Sequence, residues 1–430
     1  MNKVPVSARS VLSVLALGLM GCAGSDSTET EVEVPAEASV SRQLELATSN
    51  DHVGTLAREP MLAQHSGGAI FLAGYPSQVI GQDPRSTPQL WRSNDGGVDW
   101  LRVDVGSADD GAMGNSDVDL AVAPDGTLYF LVMGFDRSTG EGTHVTIGVS
   151  RDVGESWLWT VLSETRFDDR PWVAIAPDGV AHVIWNDDAG VSYASSDDSG
   201  ATWTEHDRIH DLGGSSHLAV GPDGEMAVRI SPIAASANRF HEGVDLVAIS
   251  VDGGSNWSKY PAPGDRVWDP TFEAPGTVPR WVEPLAWTPD GDLHHFWSSG
   301  STLHLSTSDD HGATWETREL AVANGVAFFP FMTVNDDGEL AATWFSSDGA
   351  DMFAHVALIR PDAEDGPRFM AVEPFQIDSW RDTTEQLVRD SGGEYMPVLF
   401  LNDGDLAVAA PIQNPHEDRY GFSFWRVHRR

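Results

Sequence analysis

The chain is almost without cysteine and lysine. Its 430 residues contain one cysteine, Cys22, and two lysines, Lys3 and Lys259. A single cysteine excludes an intrachain disulfide framework and any cysteine-built metal site. Positive charge is scarce as well: 26 basic residues face 65 acidic ones, for a formal net charge of −39. So acidic a surface repels nucleic acid and anionic lipid, which argues against both as partners of the folded surface. Any anionic ligand would need arginines gathered locally, because the global field decays over about 8 Å at physiological ionic strength. The apolar run near the start, "VLSVLALGLMG", is too short for a membrane span. What the chain has in quantity is 42 glycines and 25 prolines beside 41% hydrophobic residues. That composition favours many short strands and tight turns around a sizeable core.

Lys3 and Arg9 precede that apolar run, which ends in "LMGC" at residues 19–22, so the start reads as an export segment. "LMGC" resembles the lipobox of bacterial lipoproteins. The resemblance implies a signal peptide over residues 1–21 and lipid attachment to the Cys22 sulfur; the alternative is a secretory signal with an incidental cysteine. Ala23, where Asp would mark inner-membrane retention, implies a lipid-anchored place in the cell envelope at the outer membrane. Several acyl chains on one cysteine anchor durably, so the expected membrane contact is through the lipid alone. Residues 22–38 are acidic and poor in large apolar groups, and read as a disordered tether ahead of a single domain over 39–430.

Five stretches share one spacing: "SNDGGVDW" (93–100), "SRDVGESW" (150–157), "SDDSGATW" (196–203), "SVDGGSNW" (250–257) and "SDDHGATW" (308–315). Each has Ser, Asp two residues on, Gly two after that and Trp three further. One such match is expected on the order of once per hundred chains of this length, so five denote a repeat. A second series of tight turns runs beside it, with glycines at Gly68, Gly126, Gly179, Gly224, Gly291, Gly338 and Gly404. Asp-Gly and Asn-Gly between apolar runs signal hairpins, because Gly takes the positive φ the turn needs. The first five glycines are followed by a box tryptophan after 32, 31, 24, 33 and 24 residues, so the two series are in phase. Each unit therefore reads strand, turn, strand, loop, strand, box turn, strand. The expected fold is all-β: a β-propeller of four-stranded antiparallel blades, seven in number with six as the alternative. In the sixth unit "FMAVEPFQI" reads as the fourth strand. The seventh has three strands, and "VSRQLELA" (40–47) can supply its fourth, removing an exposed edge.

The octets resemble the Asp boxes, or bacterial neuraminidase repeats, of the sialidase-like propellers, over residues from about 58 to 428. Their Asp, Gly and Trp read as scaffold, and each box holds too few carboxylates for calcium. Chemistry in a propeller belongs to the channel mouth, where the inner strands begin. Counting back from the turn glycines places Arg58, Glu59, Asp117, Asp169, Arg170, His217, Glu283, Glu394 and Tyr395 there. In sialidases a tyrosine is the nucleophile, a glutamate its base, an aspartate the acid/base, and three arginines hold the substrate carboxylate. The resemblance implies Tyr395 of "GGEYMP" as nucleophile, Glu283 or Glu394 as its base and Asp83 of "VIGQDPRSTP" as the acid. It implies Arg58 as the first substrate arginine, in "REP" where the family has Arg-Ile-Pro, with Arg170 and Arg280 as the other two. Glu59 and Asp169 join the substrate-binding set, and as carboxylates they can also pair with Arg58 and Arg170.

Further candidates are aromatic and loop residues. Trp172, Trp281 and Trp287 can stack on sugar or pack between blades, His294–His295 can be considered for metal, and loops carry Arg239 and Arg381. No cofactor or metal is expected. The expected function is recognition of an extracellular glycan or glycoprotein at the mouth, with exo-glycosidase activity of sialidase type as an extension. The alternative is a non-catalytic adhesion or assembly propeller that binds protein. Unpaired arginines around Tyr395 favour the enzyme; arginines each matched by an acid favour the binding module.

Overall fold

All seven turn glycines adopt φ between 77° and 94°, the left-handed conformation that closes each first hairpin. In the third, Ala176 N–H donates to Val180 O and Gly179 N–H to Ala176 O, both at 2.8 Å. Seven antiparallel sheets follow from these hairpins. The computed structural model describes residues 44–53, 57–76, 81–234, 239–240, 245–264, 282–323, 325–348, 351–361, 368–371, 375–379, 394–414 and 419–429. They belong to one compact unit, Arg42–Arg430. Cys22, Arg280, Trp281 and Arg381 lie outside the described residues, as does the side chain of Arg239.

The innermost strands of blades 1 to 7 are Ala57–Gln64, Ser116–Val122, Asp169–Ile175, Gly213–Val220, Leu285–Trp287, Val326–Val334 and Val398–Phe400. Each packs on the next and the last packs on the first, which closes a seven-bladed propeller. Blade 3 shows the pattern: Asp169–Ile175, Ala181–Asp187, Gly190–Ser196 and Thr204–Glu205 pair in order. The second strands are buried along nearly their whole length, with Phe71, Leu72, Phe130, Leu131, Val183 and Ile184 inaccessible to solvent. Such continuous burial comes from blades stacked on both faces.

Blade 7 is closed by the N-terminal strand, which pairs antiparallel with Arg419–Arg429 as the outermost strand. The described part of that strand, Leu44–Val53, overlaps residues 40–47 and continues beyond them. Blade 6 also differs from the single fourth strand read in "FMAVEPFQI". Two short strands, Arg368–Ala371 and Phe375–Ser379, pair with successive parts of Asp351–Arg360. A proline at 374, which has no N–H to give a ladder, falls between them.

The Asp boxes form one repeated bond set. In the third, Ser196 Oγ donates to Asp198 Oδ1 (2.9 Å), and Gly200 N–H donates to Ser196 Oγ (2.9 Å). Thr202 then donates its N–H to Oδ1 and its hydroxyl to Oδ2. Ser156, Asn256 and Thr314 repeat that double contact, whereas Asp99 gives Asp95 only its N–H. The box glycines lie against the preceding blade: Gly97 on Phe424, Gly154 on Phe71, Gly200 on Val149 and Gly254 on Tyr193. The boxes thus lock each blade to its neighbour.

Candidate functional site at the channel mouth

The residue nine positions before the turn glycine is Glu59, Asp117, Arg170, Phe329 and Tyr395 in blades 1, 2, 3, 6 and 7. Three of these, Glu59 (φ 50°), Arg170 (φ 48°) and Phe329 (φ 48°), occupy the left-handed region although none is glycine. Each is followed by proline and sits at a break in strand register. Proline cannot continue the ladder, so the chain bulges there and turns the preceding side chain out of the pleat. A non-glycine residue held at positive φ costs about 1–3 kcal/mol, a strain that surrounding packing must hold in place.

Those bulges gather the charged groups foreseen for the mouth. Arg170 Nη2 donates to Glu394 Oε2 at 3.0 Å, and its Nε lies 3.8 Å from Asp169 Oδ2. Tyr395 donates its hydroxyl to Asp117 Oδ2 at 3.2 Å. Arg58 and Glu59 are buried beside them, whereas the Asp169 side chain is 45% exposed and offers the most accessible carboxyl. Beneath lies an aromatic floor. Tyr395 packs 5.4 Å from Trp172 and 5.7 Å from Phe331, and Trp172 lies 5.5 Å from His217. Asp119 closes the floor by accepting the backbone N–H groups of Val173 and Leu120.

Electrostatics follow from crowding four carboxyls into a partly dry space. Burial raises Glu59 well above the carboxylate range, with Asp117 and Glu394 adding to the rise and the two arginines opposing it. Asp169 is raised above the usual carboxylate range by desolvation among its neighbours, an effect that water at its 45% exposed side chain screens in part, against the pull of Arg170 and with the help of Asp117 and Glu394. Glu394 is likewise raised by burial despite Arg170. Against the cost of its own burial, Arg170 is held above its ordinary value by Glu394 and Asp169. The Tyr395 phenol is raised well above 10, by burial first and then by the Asp117 and Glu59 charges. His217 falls to about 4 and Asp119 rises to about 7, each through burial.

No protein-family model and no curated protein matches this chain. Solved structures do. A protein of unknown function from Dyadobacter fermentans superposes with a TM-score of 0.51 at 15% identity, covering 90% of this chain and 98% of that one. A Hadza microbial sialidase gives 0.45 at 16%, covering 75% and 66%. A Penicillium chrysogenum alpha-L-arabinanase complexed with arabinobiose gives 0.45 at 13%, covering 91% and 99%. The fold is a seven-bladed β-propeller. Identity this low carries the likeness no further than the fold.

Within this propeller the other predicted residues stand elsewhere. Glu283 is fully buried in a separate ionic cluster, accepting from Arg229 Nη2 at 2.8 Å, while Asp245 accepts from the same nitrogen at 2.6 Å. His295 Nε2 lies 3.7 Å from Glu283, and His294 Nδ1 lies 3.0 Å from Thr307 Oγ1. The hydroxyl of Tyr395 donates to Asp117, an acid other than the two expected as its base. Asp83 is exposed and accepts the Arg85 N–H, capping its own turn. Trp172 and Trp287 are 2% and 3% exposed, which makes them packing residues. No group of three or more His, Cys, Asp or Glu among the described residues is arranged to hold a metal.

Two charged residues near these clusters escaped the sequence reading. Arg137 donates to the carbonyls of Asn115 (3.0 Å) and Gly81 (3.3 Å) and sits in the field of Arg58, Glu59 and Asp117. Arg229 is wholly buried; its one sequence signal is a lone charge inside the apolar strand Met226–Ala234.

Proposed function

We propose that this protein is a lipid-anchored envelope propeller that recognises a neutral glycan at its channel mouth without cleaving it. The observation that carries this reading is the matching of Arg170 by Glu394 and Asp169. A sialidase needs free guanidinium groups for the substrate carboxylate, whereas the Arg170 guanidinium is already held by Glu394 and Asp169. A fifth carboxyl group, entering as an anion among Glu59, Asp117, Asp169 and Glu394, would be disfavoured. Sugar hydroxyls, by contrast, donate to carboxylates and accept from guanidinium, and carboxylate acceptors form the stronger class of hydrogen bond. The phenol supports the same reading: a nucleophilic tyrosine is activated towards its anion, whereas Tyr395 is held neutral and 1% exposed in the aromatic floor.

Calorimetric titration with a neutral and a sialylated oligosaccharide tests the recognition step. Saturable heat with the neutral sugar, weakened at least tenfold in Asp169→Asn, is the expected result. Preference for the sialylated sugar would overturn it. The anchor has its own test: Cys22→Ser should move the protein from the membrane to the soluble fraction and abolish labelling by a fatty-acid analogue.

A further inference from the structure

Away from the mouth, between the last strand of blade 1 and the box of blade 2, lies a cavity of about 280 Å³. Trp157 and Trp159 form one wall, stacked with centroids 6.0 Å apart and planes 27° from parallel. Both indoles are backed by the buried ring of Phe130 and are themselves half-exposed. Asp104, Val105, Gly106, Asp110, Glu155 and Ser156 complete the lining; none is basic, and Arg92, outside it, engages one oxygen of Glu155 at 2.7 Å. The wall is braced from behind. Gly111, at φ 95°, lies so close to Trp159 that a Cβ there would come within 2.8 Å of the tryptophan Cβ.

The hydrogen-bonding character of this cavity is one-sided. Its three side-chain donors are all engaged: Trp157 Nε1 with Gly154 O (3.2 Å), Trp159 Nε1 with Val105 O (2.9 Å) and Ser156 Oγ with Asp152 (2.5 Å). What it presents is indole π-face and carboxylate oxygen. Sugar hydroxyls need acceptors and donors together, and an anion needs donors alone. A ligand that only donates, or only carries positive charge, matches both indole and carboxylate. The volume suits one headgroup or one side chain better than an oligosaccharide. We propose that this cavity is a binding site for an organic ammonium group, held over the Trp157–Trp159 pair with Asp104, Asp110 and Glu155 around it. Such a group comes from a trimethylammonium headgroup or from a protonated alkylamine such as a lysine side chain. The site is independent of the glycan reading of the mouth.

Calorimetry on the purified protein tests it, using choline, butylammonium and 3,3-dimethylbutan-1-ol, the uncharged isostere of choline. At least one cation should bind about tenfold or more tightly than the isostere, with affinity falling as salt rises. The Asp104→Asn variant, altered only in an exposed carboxylate, should bind several-fold more weakly while keeping its unfolding midpoint. Tighter binding of choline assigns the headgroup source, and tighter binding of butylammonium the side-chain source. Equal binding of the isostere, unchanged affinity in the variant, or no saturable heat with any probe would overturn the proposal.

Discussion

The Tyr395 hydroxyl donates to Asp117 Oδ2 across 3.2 Å, tying the inner-strand entry of the last blade to that of the second. Both residues stand nine positions before their turn glycines, so the bond joins equivalent points of the ring. Tyr395→Phe keeps the ring packing against Trp172 and Phe331 and removes only this bond. The expected cost is about 0.5–1.5 kcal/mol in urea unfolding, the usual net range for an intramolecular hydrogen bond. Aryl-glycoside turnover should stay at background in both proteins.

Asp169 carries a pH signature. Its folded value of about 7 lies above its ordinary value of 3.8, so the folded state keeps the proton longer than the unfolded chain. Stability from this group is therefore complete below about pH 4, declines as pH rises towards 7 and is level above that. Asp169→Asn should lose less stability than wild type between pH 5 and 8, measured by denaturation midpoints. Glu59 and Glu394, also raised, keep part of the decline in the variant.

The box aspartates act in the opposite sense. Hydrogen bonds from Thr202 and Ser196 lower Asp198 to about 2, and Asp152, Asp252 and Asp310 are lowered by the same kind of contacts. Their contribution is present above the ordinary carboxylate value near 4 and is lost as pH falls towards 2. Asp198→Ala should flatten the acid limb of the stability curve over that interval, with the other boxes sustaining a reduced slope.

Blade locking can be read from two glycines. Gly97 has φ 97°, and a Cβ there would fall 1.9 Å from Phe424 Cε1 on the closing blade. Gly404 has φ 89°, but nothing lies within 4 Å of its added Cβ. Gly404→Ala should cost only the conformational penalty of about 1–2 kcal/mol. Gly97→Ala adds overpacking against Phe424 and should cost about 2–4 kcal/mol. Equal thermal shifts in the two variants would contradict the packing role of the boxes.

The repeat made the blades legible because local chemistry builds them: Ser196, Asp198, Gly200 and Thr202 bond within one turn, and each turn glycine closes its own hairpin. Counting from those glycines also placed Arg58, Glu59, Asp117, Arg170, Glu394 and Tyr395 at the mouth. Their pairing was not legible. Arg170 meets Glu394 across 224 residues of chain, and Tyr395 meets Asp117 across 278, so partners depend on how the ring closes. Glu283 shows the same limit. It begins the inner strand region of blade 5, yet Arg229 of the adjoining blade turns it into a buried ion cluster. Left-handed Glu59, Arg170 and Phe329 had a signal in retrospect, the proline after each at one register, but ordinary capped strand starts share that dipeptide pattern.

Saturation-transfer NMR on a mixture of neutral and sialylated oligosaccharides tests the central claim most directly, since one spectrum reports contact and released product together. Transfer to the neutral sugar, with no free monosaccharide accumulating and with the transfer lost in Asp169→Asn, is the predicted result. Release of sialic acid that disappears in Tyr395→Phe would contradict the account and make the mouth a sialidase active site.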